Sequence, residues 1–169
     1  MIKVLISVIF GIGIFAQSAF AQGVSFYLDS SYDAAGRSKL TAAERYAGLN
    51  SRWFIEDDYW MKISASEQSK LLIDIKALSD EFDGVIYPRL RALFGSENTP
   101  GVDGDPKITV LVSEMIEEAG GYMREQDGLS ADRIIGSNVR EMVYLNTRHL
   151  SNLRAKAFCH HRARARRGM

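Results

Sequence analysis

Cysteine, histidine and proline are scarce in this chain, whose 169 residues include one Cys, three His and three Pro. A single thiol, Cys159, excludes an internal disulfide and any metal site built from several cysteines. Two of the histidines, His160 and His161, are adjacent. Adjacent side chains point about 100° apart on a helix, so these two do not form a pair of imidazoles on one helical face. The composition therefore excludes a disulfide-stabilised scaffold and matches no standard zinc site.

The formal net charge of zero conceals a segregated charge distribution. All 21 acidic residues lie between Gln22 and Leu153, together with 14 of the 21 basic residues, so this body carries a net charge of −7. An acidic body repels nucleic acid. The basic run Arg162 to Arg167 could bind nucleic acid or acidic lipid, but no aromatic residues are interleaved for stacking. We therefore predict no nucleic-acid partner.

The N-terminus has the three parts of a secretory signal peptide. Lys3 supplies the positive region, residues 4–15 are apolar, and Ala19-Phe20-Ala21 has the small-x-small form of a cleavage site. The alternative is a membrane anchor, but the apolar run is shorter than the ~20 residues needed to span a bilayer. We predict a signal peptide at 1–21, a secreted or periplasmic location, and no membrane association after cleavage.

Two capping-box patterns predict two consecutive helices. Thr41-Ala-Ala-Glu44 precedes Tyr46, Leu49, Trp53 and Trp60, which predicts a helix over about 42–61. Ser64-Ala-Ser-Glu67 precedes an apolar series at spacings of three and four (Leu71, Ile75, Leu78 and Phe82), which predicts an amphipathic helix. Gly84 and Pro88 could kink or divide this helix, and Gly95 is a plausible C-terminal cap.

Three segments have the composition of strands. Residues 23–28 are rich in β-type residues, and residues 107–112 are nearly all apolar, as in a strand buried on both faces. Residues 140–145 alternate between polar and apolar, and residues 150–158 are typical of the start of a helix. Because the two helices are consecutive and do not alternate with strands, the predicted fold class is α+β.

Several segments, taken in order, resemble bacterial secreted zinc metallopeptidases of the hyicolysin-like kind, within the zincin group. Together these segments cover most of residues 24–158. They are FYLDSS at 26–31, FIEDD at 54–58, FDGVIYP at 82–88, FGSE at 94–97, GVDGDPKITVL at 101–111, AGGY at 119–122 and REMVYLN at 140–146. The resemblance implies an incomplete zincin-like N-terminal subdomain, formed by a twisted mixed sheet with backing helices.

The resemblance also implies a substrate cleft. An edge strand lining this cleft would correspond to Glu141, Met142, Val143, Tyr144, Leu145 and Asn146. This strand would bind an extended peptide or protein substrate by strand addition. The same resemblance places Gly120, Gly121 and Tyr122 near the cleft, although a plain turn is an equal alternative for these three residues.

In such peptidases a helix with the motif His-Glu-x-x-His follows the cleft strand. Its two His bind zinc from one helical face, and its Glu activates the metal-bound water. The chain contains no such motif. Residues 22–158 are therefore interpreted as a partial metallopeptidase domain, and residues 159–169 as an aberrant basic tail. A one-base frameshift after Phe158 could restore the first His-Glu but not the second His; a natural truncation, a misassembled gene and an unrelated tail are the alternatives.

Two acidic groups are candidate cation sites. Asp103 and Asp105 in a tight turn could bind Ca²⁺, but a turn whose Asp and Gly serve backbone geometry is the favoured interpretation. Glu56, Asp57 and Asp58 could also bind a cation, and here a solvated helix face is favoured.

The predicted function is that of a fragment of a secreted zinc-dependent endopeptidase. Zinc is expected only in the full-length relative, and the 169 residues themselves are expected to be inactive. The alternative function is a non-catalytic extracytoplasmic binding or scaffold domain.

Overall fold

The computed structural model describes residues 23–96 and 100–150, which contain six strands and three α-helices. The strands are β1 (Val24–Tyr27), β2 (Lys39–Ala47), β3 (Ser51–Glu56), β4 (Ile108–Ser113), β5 (Gly121–Tyr122) and β6 (Met142–Asn146). The helices are α1 (Asp57–Lys62), α2 (Ala65–Glu81) and α3 (Tyr87–Phe94). The predicted signal peptide, the basic tail and the predicted helix beyond Leu150 lie outside the described residues. No helix in the described part is long and apolar enough to cross a bilayer.

The strands form one mixed sheet in the order β1-β2-β3-β4-β6-β5. Strands β1, β2 and β3 are antiparallel neighbours, whereas β3, β4 and β6 are parallel. Strand β5 pairs antiparallel with β6 and forms the last strand at that side. The three helices all fall between β3 and β4, so the predicted α+β class and the mixed sheet with helices are confirmed.

Helix α2 begins where the second capping box predicted. The Ser64 hydroxyl accepts the Glu67 amide at 3.3 Å, and the Glu67 carboxylate accepts the Ser64 amide at 2.8 Å. The predicted apolar series places Leu71 and Ile75 in the core. A π-helical segment, Phe82–Ile86, then joins α2 to α3, and Gly95 ends α3 with a positive φ of 86°. Pro88 directly follows this π-helical segment, and because proline has no amide to donate to the preceding turn, the π-helical bonding lies where proline interrupts the α-helical pattern.

The helix predicted at 42–61 is wrong. Residues 39–56 form the hairpin of β2 and β3, and only Asp57–Lys62 is helical. Each strand has a partner on both sides, β1 and β3 for β2, and β2 and β4 for β3. Sheet pairing on both edges outweighs a local capping pattern, because propensity is a weak prior against tertiary contacts. The three-residue turn between the strands is fixed by Asp83, whose carboxylate accepts the amides of Leu49 and Asn50 at 2.9 Å each.

The strand predictions at the centre of the sheet are confirmed. Strand β4 is buried along nearly its whole length between β3 and β6. Its alternate side chains supply two apolar clusters, one on each face of the sheet. On the helix face, Val110 and Val112 pack with Trp53 and Ile55 of β3 and with Ile75 of α2. On the other face, which we term the loop face, Leu111 packs with Phe26, Phe54 and Tyr144.

The sequence predicted a solvated helix face for Glu56, and this prediction is wrong. It ends β3 and is 1% exposed. Its carboxylate accepts the Arg37 guanidinium at 2.6 Å and the Glu114 amide at 3.0 Å. Arg37 also pairs with the buried Asp33 at 2.8 Å. Two buried carboxylates thus share one guanidinium, which joins the 29–38 loop to the ends of β3 and β4 and raises the pKa of Arg37 through its hydrogen bonds to Asp33 and Glu56.

Candidate functional site

Strand β5 gives the sheet an edge with hydrogen-bonding groups directed outward. Within the described strands it pairs with β6 alone. The Asn146 amide donates to the Gly120 carbonyl at 3.1 Å, and Tyr122 opposes Tyr144. Because strand residues alternate in direction, Gly120 and Tyr122 turn their backbone groups toward β6, and Gly121 turns its own toward the open edge. Met123 directly follows the strand and would be the next residue of the same direction if a bound peptide extended β5. This edge is therefore a template for another extended chain.

Strand β6 is the penultimate strand of the sheet, not the edge strand expected for it. Met142, Tyr144 and Asn146 are buried, whereas Glu141, Val143 and Leu145 are partly exposed. Two outward-facing amides near its ends have partners: Arg140 donates to the Asp127 carbonyl at 2.7 Å, and Asn146 donates to Gly120. A peptide that approaches this side of the sheet meets β5 first along Tyr144 and Leu145.

Asn146 ties β6 to the turn that leads into β5. Its side-chain amide donates to the Ala119 carbonyl at 2.7 Å and to the Ile116 carbonyl at 3.1 Å. Its side-chain oxygen accepts the Arg148 amide at 3.1 Å. Gly121 is required at the close approach of the two strands, since a Cβ there would lie 2.5 Å from the Tyr144 carbonyl oxygen. A rigid connection thus positions the two-residue edge strand.

A buried polar cluster lies beneath the edge on the loop face. The Tyr144 hydroxyl donates to the Asp127 carboxylate at 2.6 Å, and Asn138 donates to the same carboxylate at 3.0 Å. Arg124 pairs with Asp127 at 3.2 Å and donates to the Tyr27 carbonyl at 2.9 Å. Burial, together with the hydrogen bond to Asp127, raises the pKa of Tyr144. The hydroxyl therefore stays protonated and keeps its role as donor.

Three tyrosine rings stack from this cluster toward the surface. The rings of Tyr144 and Tyr122 are 4.2 Å apart at 6°, and those of Tyr122 and Tyr32 are 4.6 Å apart at 16°. Tyr144 is fully buried, whereas Tyr32 is 38% exposed. Burial raises the pKa of Tyr122 to about 12, and its hydroxyl oxygen accepts the Asp29 amide at 3.3 Å. The stack runs across β6 and β5 and continues one step beyond the edge strand.

The calcium candidates Asp103 and Asp105 lie at a different place, on the rim of an open depression of about 470 Å³ on the loop face. Its lining also includes Glu44, Arg52 and Arg140. The Asp105 carboxylate is bound by the Arg52 guanidinium and accepts the Lys107 amide at 3.1 Å. Burial raises the pKa of Asp105, but these bonds from Arg52 and Lys107 lower it by more, so that it lies below its ordinary value.

Asp103 is engaged in a similar way. Its carboxylate accepts the Asp105 amide at 2.9 Å and lies 4.0 Å from the Arg140 guanidinium. Arg140 in turn lies over the rings of Phe26 and Phe54. Ca²⁺ at this turn would have to compete with two guanidinium groups, and calcium binding stays a prediction. In the described ranges 23–96 and 100–150, no three His, Cys, Asp or Glu residues are grouped so as to hold a metal ion.

Sequence reasoning identified β6 and the Gly120–Tyr122 segment but missed the residues that support them. Asp127 and Asn138 lie in a stretch that reads as an ordinary polar loop, and no spacing rule links them to Tyr144. One retrospective signal is the pair of aromatic residues Tyr122 and Tyr144, which lie on adjacent short strands. Tyr32 carries no sequence signal, because its ring reaches the stack from a loop.

No protein-family model and no curated protein matches this chain. The likeness to zinc metallopeptidases therefore depends on the short motifs in the sequence alone.

Proposed function

We propose that residues 22–158 are the substrate-binding part of a secreted zinc-dependent endopeptidase and that they bind an extended peptide along the edge formed by β5 and β6. The observation that carries this proposal is the outward direction of the Gly121 backbone groups in β5, the last strand of the sheet. Main-chain hydrogen bonds of this kind supply affinity without demanding a particular sequence. Met123, which follows β5, is 74% exposed, so the chain lies at the surface where the strand ends.

The proposal assigns binding, not hydrolysis, to these 169 residues. The sequence contains no His-Glu-x-x-His, and no group of His, Cys, Asp or Glu within the described residues is placed to hold zinc. The residues of ranges 23–96 and 100–150 thus do not fit a zinc centre. Zinc and its Glu base would belong to the full-length relative, where the metal would supply an activated water.

The second candidate is a non-catalytic extracytoplasmic binding or scaffold domain. The same outward-facing edge supports it, since strand addition requires no catalytic residue. The genomic sequence after the Phe158 codon distinguishes the peptidase fragment from the non-catalytic binding domain. A His-Glu-x-x-His motif in another frame supports the peptidase origin, whereas its absence in all three frames favours the binding domain.

Substitution of Met123 tests peptide binding at the edge. A peptide that extends β5 by one residue would accept the Met123 amide. Met123→Pro removes that amide and leaves the donors and acceptors of the β5–β6 pairing in place, and Met123→Ala removes only the exposed side chain. We expect Met123→Pro to weaken binding of an array of acetylated, amidated octapeptides about tenfold, because one backbone hydrogen bond is lost and the remaining edge groups are displaced.

Fluorescence anisotropy with the best peptides of the array gives the affinities, and circular dichroism checks that both variants fold. Met123→Ala should bind like the wild-type chain. Equal binding by Met123→Pro and Met123→Ala, or no peptide binding by the folded wild-type chain, would contradict the proposal.

A further inference from the structure

The position of Tyr32 bears on which peptides the edge can accept. Tyr122 stacks on Tyr144 at 4.2 Å and on Tyr32 at 4.6 Å. Two rings cannot stack on the same face of a third. Tyr32 therefore covers the face of Tyr122 that points away from β6, which is the direction in which a further strand would add.

The spacing of this stack matches the spacing of strands. Neighbouring strands lie about 4.7–4.9 Å apart, and directly opposed side chains place their Cβ atoms about 4.5–5.5 Å apart. A peptide added to β5 would direct the side chain opposite Tyr122 into the space that the Tyr32 ring occupies. In an antiparallel arrangement this pair would be the non-hydrogen-bonded kind, in which side chains are closest.

Tyr32 is held in this place by its backbone. The Ile116 amide donates to the Tyr32 carbonyl at 3.0 Å, and the Tyr32 amide donates to the Asp29 carbonyl at 3.1 Å. The next residue, Asp33, forms a bridge with Met115 and a salt bridge with Arg37. The backbone of Tyr32 is thus held in place, and its ring packs against Tyr122 from this fixed position.

We propose that Tyr32 determines specificity at the β5 edge by restricting the peptide residue opposite Tyr122 to Gly, Ala or Ser. This inference rests on the proposed function, since it assumes that a peptide adds to β5. The ring of Tyr32 takes the place of the side chain that a seventh strand would contribute. A peptide with a small residue at that register can add to the edge and leave the stack intact.

A positional peptide array tests this role with three variants of the chain. The wild-type chain should favour Gly, Ala or Ser at one position of the octapeptide by about tenfold over Leu or Phe, a discrimination that steric pockets commonly give. Tyr32→Ala should accept Leu and Phe at that position, whereas Tyr32→Phe should keep the wild-type preference because the ring remains. Phe94→Ala is the matched control, since Phe94 is an aromatic residue that is 82% exposed on α3.

The outcomes separate this inference from the proposed function. A wild-type chain that binds peptides, loses them on Met123→Pro, and accepts Phe or Leu at every position would overturn the role of Tyr32 alone. A wild-type preference for aromatic residues at the restricted position would also overturn it. Failure of the folded wild-type chain to bind any peptide would overturn the proposed function, and the inference with it.

Discussion

The two faces of the sheet are stabilised in different ways. On the helix face, α2 packs Leu71 and Ile75 against Trp53, Val110 and Val112, a contact made of apolar side chains. On the loop face, long connections without an α-helix cover the sheet, and buried polar groups hold these connections in place. The packing of α2 on the helix face depends on the burial of apolar area, which has no directional requirement. The connections on the loop face depend on specific hydrogen bonds and ion pairs, which require a defined geometry.

This difference has a functional consequence. The tyrosine stack, which includes Tyr122 of β5, lies on the loop face. There Asp127, Arg124 and Asn138 fix the surrounding backbone. A site that presents backbone groups to a ligand requires a rigid support. The loop face supplies it through the buried carboxylate of Asp127, which accepts hydrogen bonds from Tyr144, Arg124 and Asn138.

The largest effect is expected from removing that carboxylate. Asp127→Ala leaves the guanidinium of Arg124, which is 10% exposed, without its counter-charge. Loss of one partner of a buried ion pair costs about 3–5 kcal/mol of the free energy of unfolding. Urea denaturation followed by circular dichroism measures this loss. Asp132→Ala changes an exposed carboxylate in the same loop and should have almost no effect; equal losses for the two variants would contradict the role of the cluster.

A somewhat smaller loss is expected on the helix face. Ile75→Ala removes a side chain that is 0% exposed, at a cost of about 2–5 kcal/mol in core positions of this kind. Ile73 lies on the same helix and is 57% exposed, so Ile73→Ala is a matched control with the same chemical change. The control should cost under about 1 kcal/mol. The Ile75 variant should keep the peptide preference of the wild-type chain, because the tyrosine stack lies on the other face.

The smallest of the three effects concerns pH. Burial raises the pKa of Asp33, but hydrogen bonds from Arg37 and Ala35 and the charge of Arg37 lower it by more, so that it lies below its ordinary value of 3.8. A lowered folded-state pKa contributes stability that is complete above the unfolded value and is lost as the pH falls through the folded value. Unfolding measured from pH 6 down to about pH 2.5 should therefore show a smaller loss for Asp33→Asn than for the wild-type chain.

The exposed Asp80 on α2 supplies the control for that experiment. Asp80→Asn should follow the wild-type pH curve more closely than Asp33→Asn does. Parallel curves for the wild-type chain and Asp33→Asn would show that the Arg37 cluster does not make the loop face acid-sensitive.

The same division between the faces explains what the sequence could predict. The period of Leu71, Ile75 and Leu78 and the capping box at Ser64 are local signals, and α2 follows them. The continuous apolar run of β4 is a local signal as well. The Thr41 capping pattern failed because Ala42 and Ala43 fit a buried strand as well as a helix, and pairing with β1 and β3 decided between them.

The candidate site was only partly predictable for a related reason. The motif at 140–146 indicated a strand near a cleft. Whether that strand, β6, is the edge of the sheet or is covered by β5 depends on a pairing between residues more than twenty positions apart. The stack of Tyr32 on Tyr122 joins residues ninety positions apart, and the support from Asp127 has no periodic pattern. Contacts of this kind arise from the tertiary fold, which the motifs alone do not specify.

Backbone methylation of a bound peptide tests the central claim most directly. The octapeptide that binds best would be N-methylated at each position in turn, and its affinity for the purified chain measured by fluorescence anisotropy. Strand addition to β5 predicts an alternating profile, in which methylation at every second residue weakens binding and methylation of the residues between leaves it nearly unchanged. A flat profile, with all positions equally sensitive or equally tolerant, would contradict peptide binding at the edge of the sheet.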